Sequence, residues 1–191
     1  MSPVTHFFAG WLVANTSSQL NRRERTMIVF AGVAPDFDGL GWFVELLKGN
    51  SEQAFSWYST YHHTLGHNLV FGLALTILGL CLASRKYMVA LLILLGFHLH
   101  LLGDLIGSRG PDGYQWPILY WLPFSSASPW TWNGQWALNA WPNFLITGTV
   151  LFLSLWLAWK RGYSPVGIFS ASADRSFIEA LRRRFPYYSF K

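Results

Sequence analysis

His100 and Asp104 lie four residues apart in one of the most apolar runs of the chain, residues 87–106, with His98 just before them. Ionisable groups in such a run are costly unless they are paired or bound to something, so they mark function. On a helix, positions i and i+4 share a face, with Cβ atoms about 5–6 Å apart. A neutral imidazole and a carboxylate so placed can hold one metal ion. His98 is offset by two from His100, faces elsewhere on the same helix and reads as a packed or supporting residue.

The remaining donors are His6, then Asp36 and Asp38 after Pro35, then His62, His63 and His67 ahead of the apolar run 69–83. Taken singly, each has a plain structural reading. His6 follows Thr5 and could be a cap or a packed ring. Asp36 and Asp38 could simply end a helix. His62 and His67 are five apart, which is not helix-face spacing, so they need a turn or a helix start to converge. His63 neighbours His62, points away from it and is left to contact substrate. Taken together, His6, Asp36, His62, His67, His100 and Asp104 form a mixed nitrogen and oxygen donor set. Such a set favours zinc, with manganese or iron as alternatives. There are more ligands than one tetrahedral ion uses, so one or two ions fit. A carboxylate bridging two ions about 3.5–4 Å apart would suit metal-assisted hydrolysis. Whichever of Asp36 and Asp38 is not spent as a ligand could take a proton from water.

These residues must be positioned by the elements around them. The chain has 191 residues, 52% of them hydrophobic and only 12% charged, with a mean hydropathy of +0.26. That balance is too apolar for an ordinary soluble domain and predicts an all-α, polytopic membrane helix bundle. The 11 tryptophans fit, because Trp gathers at membrane interfaces. The lone Cys81 excludes an intramolecular disulfide and reads as a packing residue. The N-terminus shows no signal-peptide pattern. About five apolar segments are expected, at 3–15, 26–35, 69–83, 87–106 and 143–159. Only the fourth is clearly long enough, since a span needs roughly 20 residues. Residues 40–61 should include a short interfacial helix with Trp42, Phe43, Leu46 and Leu47 on one face, then a loop at 49–51. Residues 107–141 are rich in Gly, Pro, Ser and Trp and read as a loop packed at the membrane surface. The pattern divides into a membrane domain, 1–162, and a basic tail, 163–191. Within the tail, 174–185 reads as an amphipathic helix lying on an anionic surface, and no nucleic acid is expected.

Positive residues near spans favour the cytoplasm. Setting Arg22, Arg23, Arg25, Arg85, Lys86, Lys160, Arg161 and the C-terminal arginines inside puts the N-terminus outside and the C-terminus inside. Every histidine, with Asp36, Asp38 and Asp104, then falls on the outer side, opposite the basic loops. Nothing in the placement of Lys and Arg requires that outcome.

The ordered series Thr5-His6, Ala34-Pro35-Asp36-Phe37-Asp38, His62-x4-His67, His100-x3-Asp104 and Leu122-Pro123-Phe124-Ser125 resembles the YdjM-type family. That bacterial group is described as inner-membrane-associated, metal-dependent hydrolases, some labelled LexA-binding. The family usually has an arginine where this chain has His63, and Thr-His-Ser where it has Gly66-His67-Asn68. A more distant likeness is to zinc-dependent phospholipase C, which implies His6, Asp36, His67, His100 and Asp104 as ligands, with Asp36 or Asp38 near the activated water. The expected function is hydrolysis of a phosphoester in a lipid or lipid-linked substrate at the outer face of the bacterial inner membrane. The alternative is a non-catalytic metal-binding protein, or an anchor for a cytoplasmic partner at the basic tail. Ion transport is the least favoured reading, because no ladder of polar residues crosses to the inner side.

Overall fold

Local caps start most of the helices. The computed structural model describes residues 1–49, 60–110 and 113–186. Ser2 caps α1 (Pro3–Ala14) by accepting from the Thr5 N–H. Asn21 and Glu24 form a reciprocal capping box on α2 (Arg22–Val33). A 3-10 helix, Ala34–Leu40, follows directly and leads into α3 (Gly41–Leu47). Asn68 caps α4 (Leu69–Leu82), and a tight turn connects it to α5 (Lys86–Gly107). After the aromatic loop come α6 (Trp141–Arg161), a 3-10 turn at Pro165–Ile168 and α7 (Ala171–Arg184). Gly162 ends α6 in the left-handed conformation that glycine adopts without strain. Among the described residues there is no strand, only isolated bridges pairing Arg109 with Ala137 and Ile118 with Trp130.

α5 is the central helix, packed by α1, α2 and α4. Val89, Ile93, Phe97 and Leu101 are buried along it. Association between helices in lipid rests on close packing, which small residues permit. α1 and α2 meet at such a point: a Cβ on Gly32 would lie 3.3 Å from the Gly10 Cα. That approach leaves the end of α2 close enough to α5 for the Gly32 carbonyl to accept a hydrogen bond from His100.

The all-helical expectation holds, and the membrane pattern is narrower than expected. Among the described residues two helices, Lys86–Gly107 and Trp141–Arg161, are long and apolar enough to cross a membrane. α1 has 12 residues and α4 has 14, so they extend only about 18 and 21 Å against a hydrocarbon core of about 30 Å. The segment expected at 26–35 belongs to α2, whose first turn holds Arg22, Arg23, Glu24 and Arg25. Cys81 is exposed on α4 rather than packed. α3 presents Phe43, Val44, Leu46 and Leu47 outward; residues 50–51 of the expected loop lie outside the described residues. α7 docks on the bundle. Ile178 is buried in the core, Asp174 accepts from the Ser164 N–H and hydroxyl, and Arg182 donates to the Trp159 carbonyl.

Candidate metal centre

Four separate stretches deliver the ionisable cluster to one end of α5. α1 carries His6 and the 3-10 helix carries Asp36 and Asp38. The turn before α4 carries His62, His63 and His67, and α5 carries His100 and Asp104. The 3-10 helix and the turn are held in contact at Gly66, where a Cβ would run into the Pro35 backbone. The cap at Asn68, whose side chain accepts from the Phe71 N–H at 3.0 Å, fixes the chain directly after His67.

Asp104 lies at the centre. His100 Nε2 approaches its Oδ2 at 3.0 Å, His67 Nε2 at 3.3 Å and His63 Nε2 at 3.7 Å. His6 Nε2 is 3.2 Å from its Oδ1, which also pairs with the Met1 amine and accepts from the Ser108 hydroxyl. Asp36 Oδ1 lies 3.7 Å from His100 Nε2, and the His6 and His100 rings stack with centroids 3.7 Å apart. His6, His63, His67, His100 and Asp104 are all buried.

The outer nitrogens reveal the protonation pattern. His100 donates from Nδ1 to the Gly32 carbonyl at 2.8 Å. His67 Nδ1 lies 2.9 Å from Asp38 Oδ2, an acceptor once ionised. Each neutral ring therefore turns a lone pair inward at Nε2. These two Nε2 atoms face each other at 3.1 Å. Two lone pairs at that distance repel unless a proton or a cation lies between them. Asp36 Oδ2 and both ring nitrogens of His63 are buried without a hydrogen-bond partner. Asp36 Oδ2 and the inward imidazole nitrogens are atoms that a divalent cation could use as ligands.

Asp38 occupies a different place from Asp36. Its Oδ1 meets His62 Nδ1 at 2.8 Å, while its Oδ2 takes His67 Nδ1 and the Gly66 N–H at 3.0 Å. A carboxylate behind a ligating imidazole fixes the tautomer and raises the ligand's basicity. Burial disfavours its charge, yet the hydrogen bonds from His62 and His67 hold its pKa well below the usual carboxylate range. Burial opposes a charge on His67 as well. The hydrogen-bonded carboxylates of Asp104 and Asp38 outweigh that and raise it to about 9. Burial pushes the Asp36 carboxyl up and the His63 imidazole down.

Two groups of donors lie close enough to share an ion: His6, Asp36, His100 and Asp104, and separately His62, His63 and His67, with ligand atoms in each group within 4.8 Å of one another. His63 thus turns into the cluster rather than away. Its φ of +69° is the reason; a left-handed residue does not follow the alternation assumed for its neighbour, and outside glycine it persists where surrounding structure holds it. His98 stays outside, donating from Nδ1 to the Leu94 carbonyl at 2.8 Å and accepting at Nε2 from the Tyr120 hydroxyl at 2.9 Å.

The loop after α5 adds residues that no spacing marked. Gln135 donates to the Asp104 carbonyl at 2.9 Å and accepts from the Trp116 N–H. The Trp116 ring lies against His62 and His63, at 5.3 and 5.0 Å between centroids. A cavity of about 690 Å³ opens beside them, lined by His62, His63, Ser108, Arg109, Trp116 and Phe144 among others.

Residues 1–171 match the family model described as YdjM inner membrane protein, and the chain belongs to that family. It is thus a membrane protein with a buried His/Asp cluster able to hold a metal ion. No curated protein matches the chain. No solved structure matches it either, and the more distant likeness to phospholipase C finds no support there.

Proposed function

We propose that the chain is a metal-dependent hydrolase of the inner membrane, acting on a phosphoester in a lipid or lipid-linked substrate. The observation that carries this reading is the inward pair of Nε2 atoms, 3.1 Å apart between His67 and His100, next to a cavity wide enough for a small ligand. His6, Asp36, His67, His100 and Asp104 are the proposed ligands of one ion, with His62 and His63 available to a second. Zinc is favoured for the imidazole-rich set, with manganese or iron as alternatives. When bound, such an ion supplies Lewis-acid stabilisation of charge developing on a phosphoryl oxygen.

The chain's own residues divide the remaining work. Asp36 would ligate through Oδ1 and keeps Oδ2 free of hydrogen bonds, so that oxygen is the proposed proton acceptor; in the metal-free site burial raises its carboxyl pKa. Asp38, with both oxygens engaged by ring and backbone nitrogens, is a positioning residue for His62 and His67 rather than the base. His63 faces the cavity as a substrate contact. Arg109 lines the same cavity with Trp116 and Phe144, a cation beside apolar surface, which suits a phosphate attached to a lipid. The positive-inside rule puts this end of the bundle at the outer face, with several segments crossing and the C-terminus inside. A basic tail facing the cytoplasm leaves room for a protein partner there.

The test is turnover of a panel of lipid and water-soluble phosphomonoesters and phosphodiesters by purified, metal-loaded protein, alongside Asp104→Ala. Activity that requires metal and disappears in the variant supports the reading. Metal bound stoichiometrically without turnover of any member would favour a non-catalytic metal-binding role.

A further inference from the structure

We propose that a groove at the basic end of the bundle binds one anionic phospholipid, remote from the metal centre and independent of it. α2 and α4 both pack on α5 but scarcely touch each other, so a cleft remains between them. Its volume is about 550 Å³, and its lining includes Phe30 of α2, Leu75 and Leu78 of α4 and Ile93 of α5, with Arg22 and Arg23 also on its lining. Phe30, Leu78 and Leu82 are exposed along it, so the cleft opens sideways, as an acyl chain approaching from the bilayer requires.

The charge at its head selects the occupant. Arg22 and Arg23 stand in the first turn of α2, where the helix dipole is itself positive and disfavours cations. Their cost is offset if an anion sits against them. The nearby acidic group cannot serve, because Glu24 is buried and engaged by the backbone N–H groups of Asn21 and Arg85. Arg22 spends one guanidinium nitrogen on the Ile168 carbonyl at 3.3 Å, which leaves further donors on its fork. A phosphodiester above an acyl chain matches both parts of the groove, and basic pockets between membrane helices bind such headgroups. The metal centre is at the other end of α5: Lys86 and Asp104 are separated by about 27 Å of helix.

Native mass spectrometry of the detergent-purified full chain tests the proposal, titrating phosphatidylglycerol against phosphatidylcholine with identical acyl chains. Wild type should retain one phosphatidylglycerol per chain in clear preference to phosphatidylcholine. Replacing both arginines, Arg22→Gln with Arg23→Gln, should weaken phosphatidylglycerol binding by roughly 30-fold, from about fivefold per basic residue, with bound metal unchanged. Leu78→Trp, which fills the groove and leaves the arginines in place, should weaken it too. If the double variant fails to fold, Leu78→Trp and the salt dependence in wild type decide the matter. Equal binding of the two lipids by wild type, or unaltered phosphatidylglycerol binding in a folded variant, overturns the proposal.

Discussion

Glu24 at one end of the bundle and the His/Asp cluster at the other are both buried, and their surroundings differ in kind. Glu24 is 1% exposed. Its Oε2 accepts from the Asn21 N–H at 2.9 Å and its Oε1 from the Arg85 N–H at 2.8 Å, with the Arg85 guanidinium at 3.8 Å. That carboxylate is satisfied by the chain and ties α2 to the turn between α4 and α5. At the far end, Asp36 Oδ2 and the ring of His63 have no hydrogen-bond partner, and the inward Nε2 atoms of His67 and His100 lie 3.1 Å apart, a separation that a proton or a cation must bridge. Buried charge that finds its donors within the fold is structural. Buried charge left with unpartnered polar atoms is a place for something the chain does not supply.

Substitutions at the two ends should act differently. Asp104→Asn should cause the largest change: loss of bound metal, and a fall in turnover of about a thousand-fold if the ion contributes several kcal/mol to the transition state. Metal analysis and kinetics on the same preparation read both. Glu24→Ala should do the opposite, lowering stability by about 3 kcal/mol through two orphaned N–H groups and a lost capping box. Metal content per folded chain should not change; a fall in it would erase the distinction between the two ends. Asp38→Asn should cost 10–100-fold in metal affinity, less than removing a ligand, as expected if it acts through His67 and His62.

A pH series sharpens the same point. In the metal-free protein the His67 pKa is raised to about 9 from an ordinary 6.5. A raised pKa contributes stability that is fully present below about 6.5 and is lost as pH rises through about 9. The Tm of metal-free protein should therefore fall by several degrees between pH 7 and 10, while zinc-loaded protein should hold level, because the ion replaces the proton. Identical profiles would contradict the placement of His67. The smallest expected effect is at His98. His98→Gln loses the Tyr120 contact and about 1 kcal/mol, with turnover unchanged.

Much of this site was legible in the sequence. The i, i+4 pair His100 and Asp104 followed from helical period. The gathering of His6, Asp36 and His67 with it followed from where the Lys and Arg residues lie. The direction of His63 was not legible, because no local pattern announces its left-handed backbone. The separate tasks of Asp36 and Asp38 were not separable by spacing; they depend on which oxygen meets which ring nitrogen across the turn before α4. Gln135 and Trp116 sit in an aperiodic loop and reach the site through long-range contacts, so nothing marked them. The start of the second apolar segment was not legible from its hydropathy. The apolar run starting at Thr26 hid a helix that begins four residues earlier in a charged turn, although Asn21 and Glu24 stand at capping-box spacing.

The proposed role of the His/Asp end is to hold a divalent transition metal. Elemental analysis of the purified protein, after exchange into metal-free buffer and one addition of zinc, decides this. At least one tightly held ion per chain is expected in wild type and none in Asp104→Asn. A folded wild-type protein that retains no ion would contradict it.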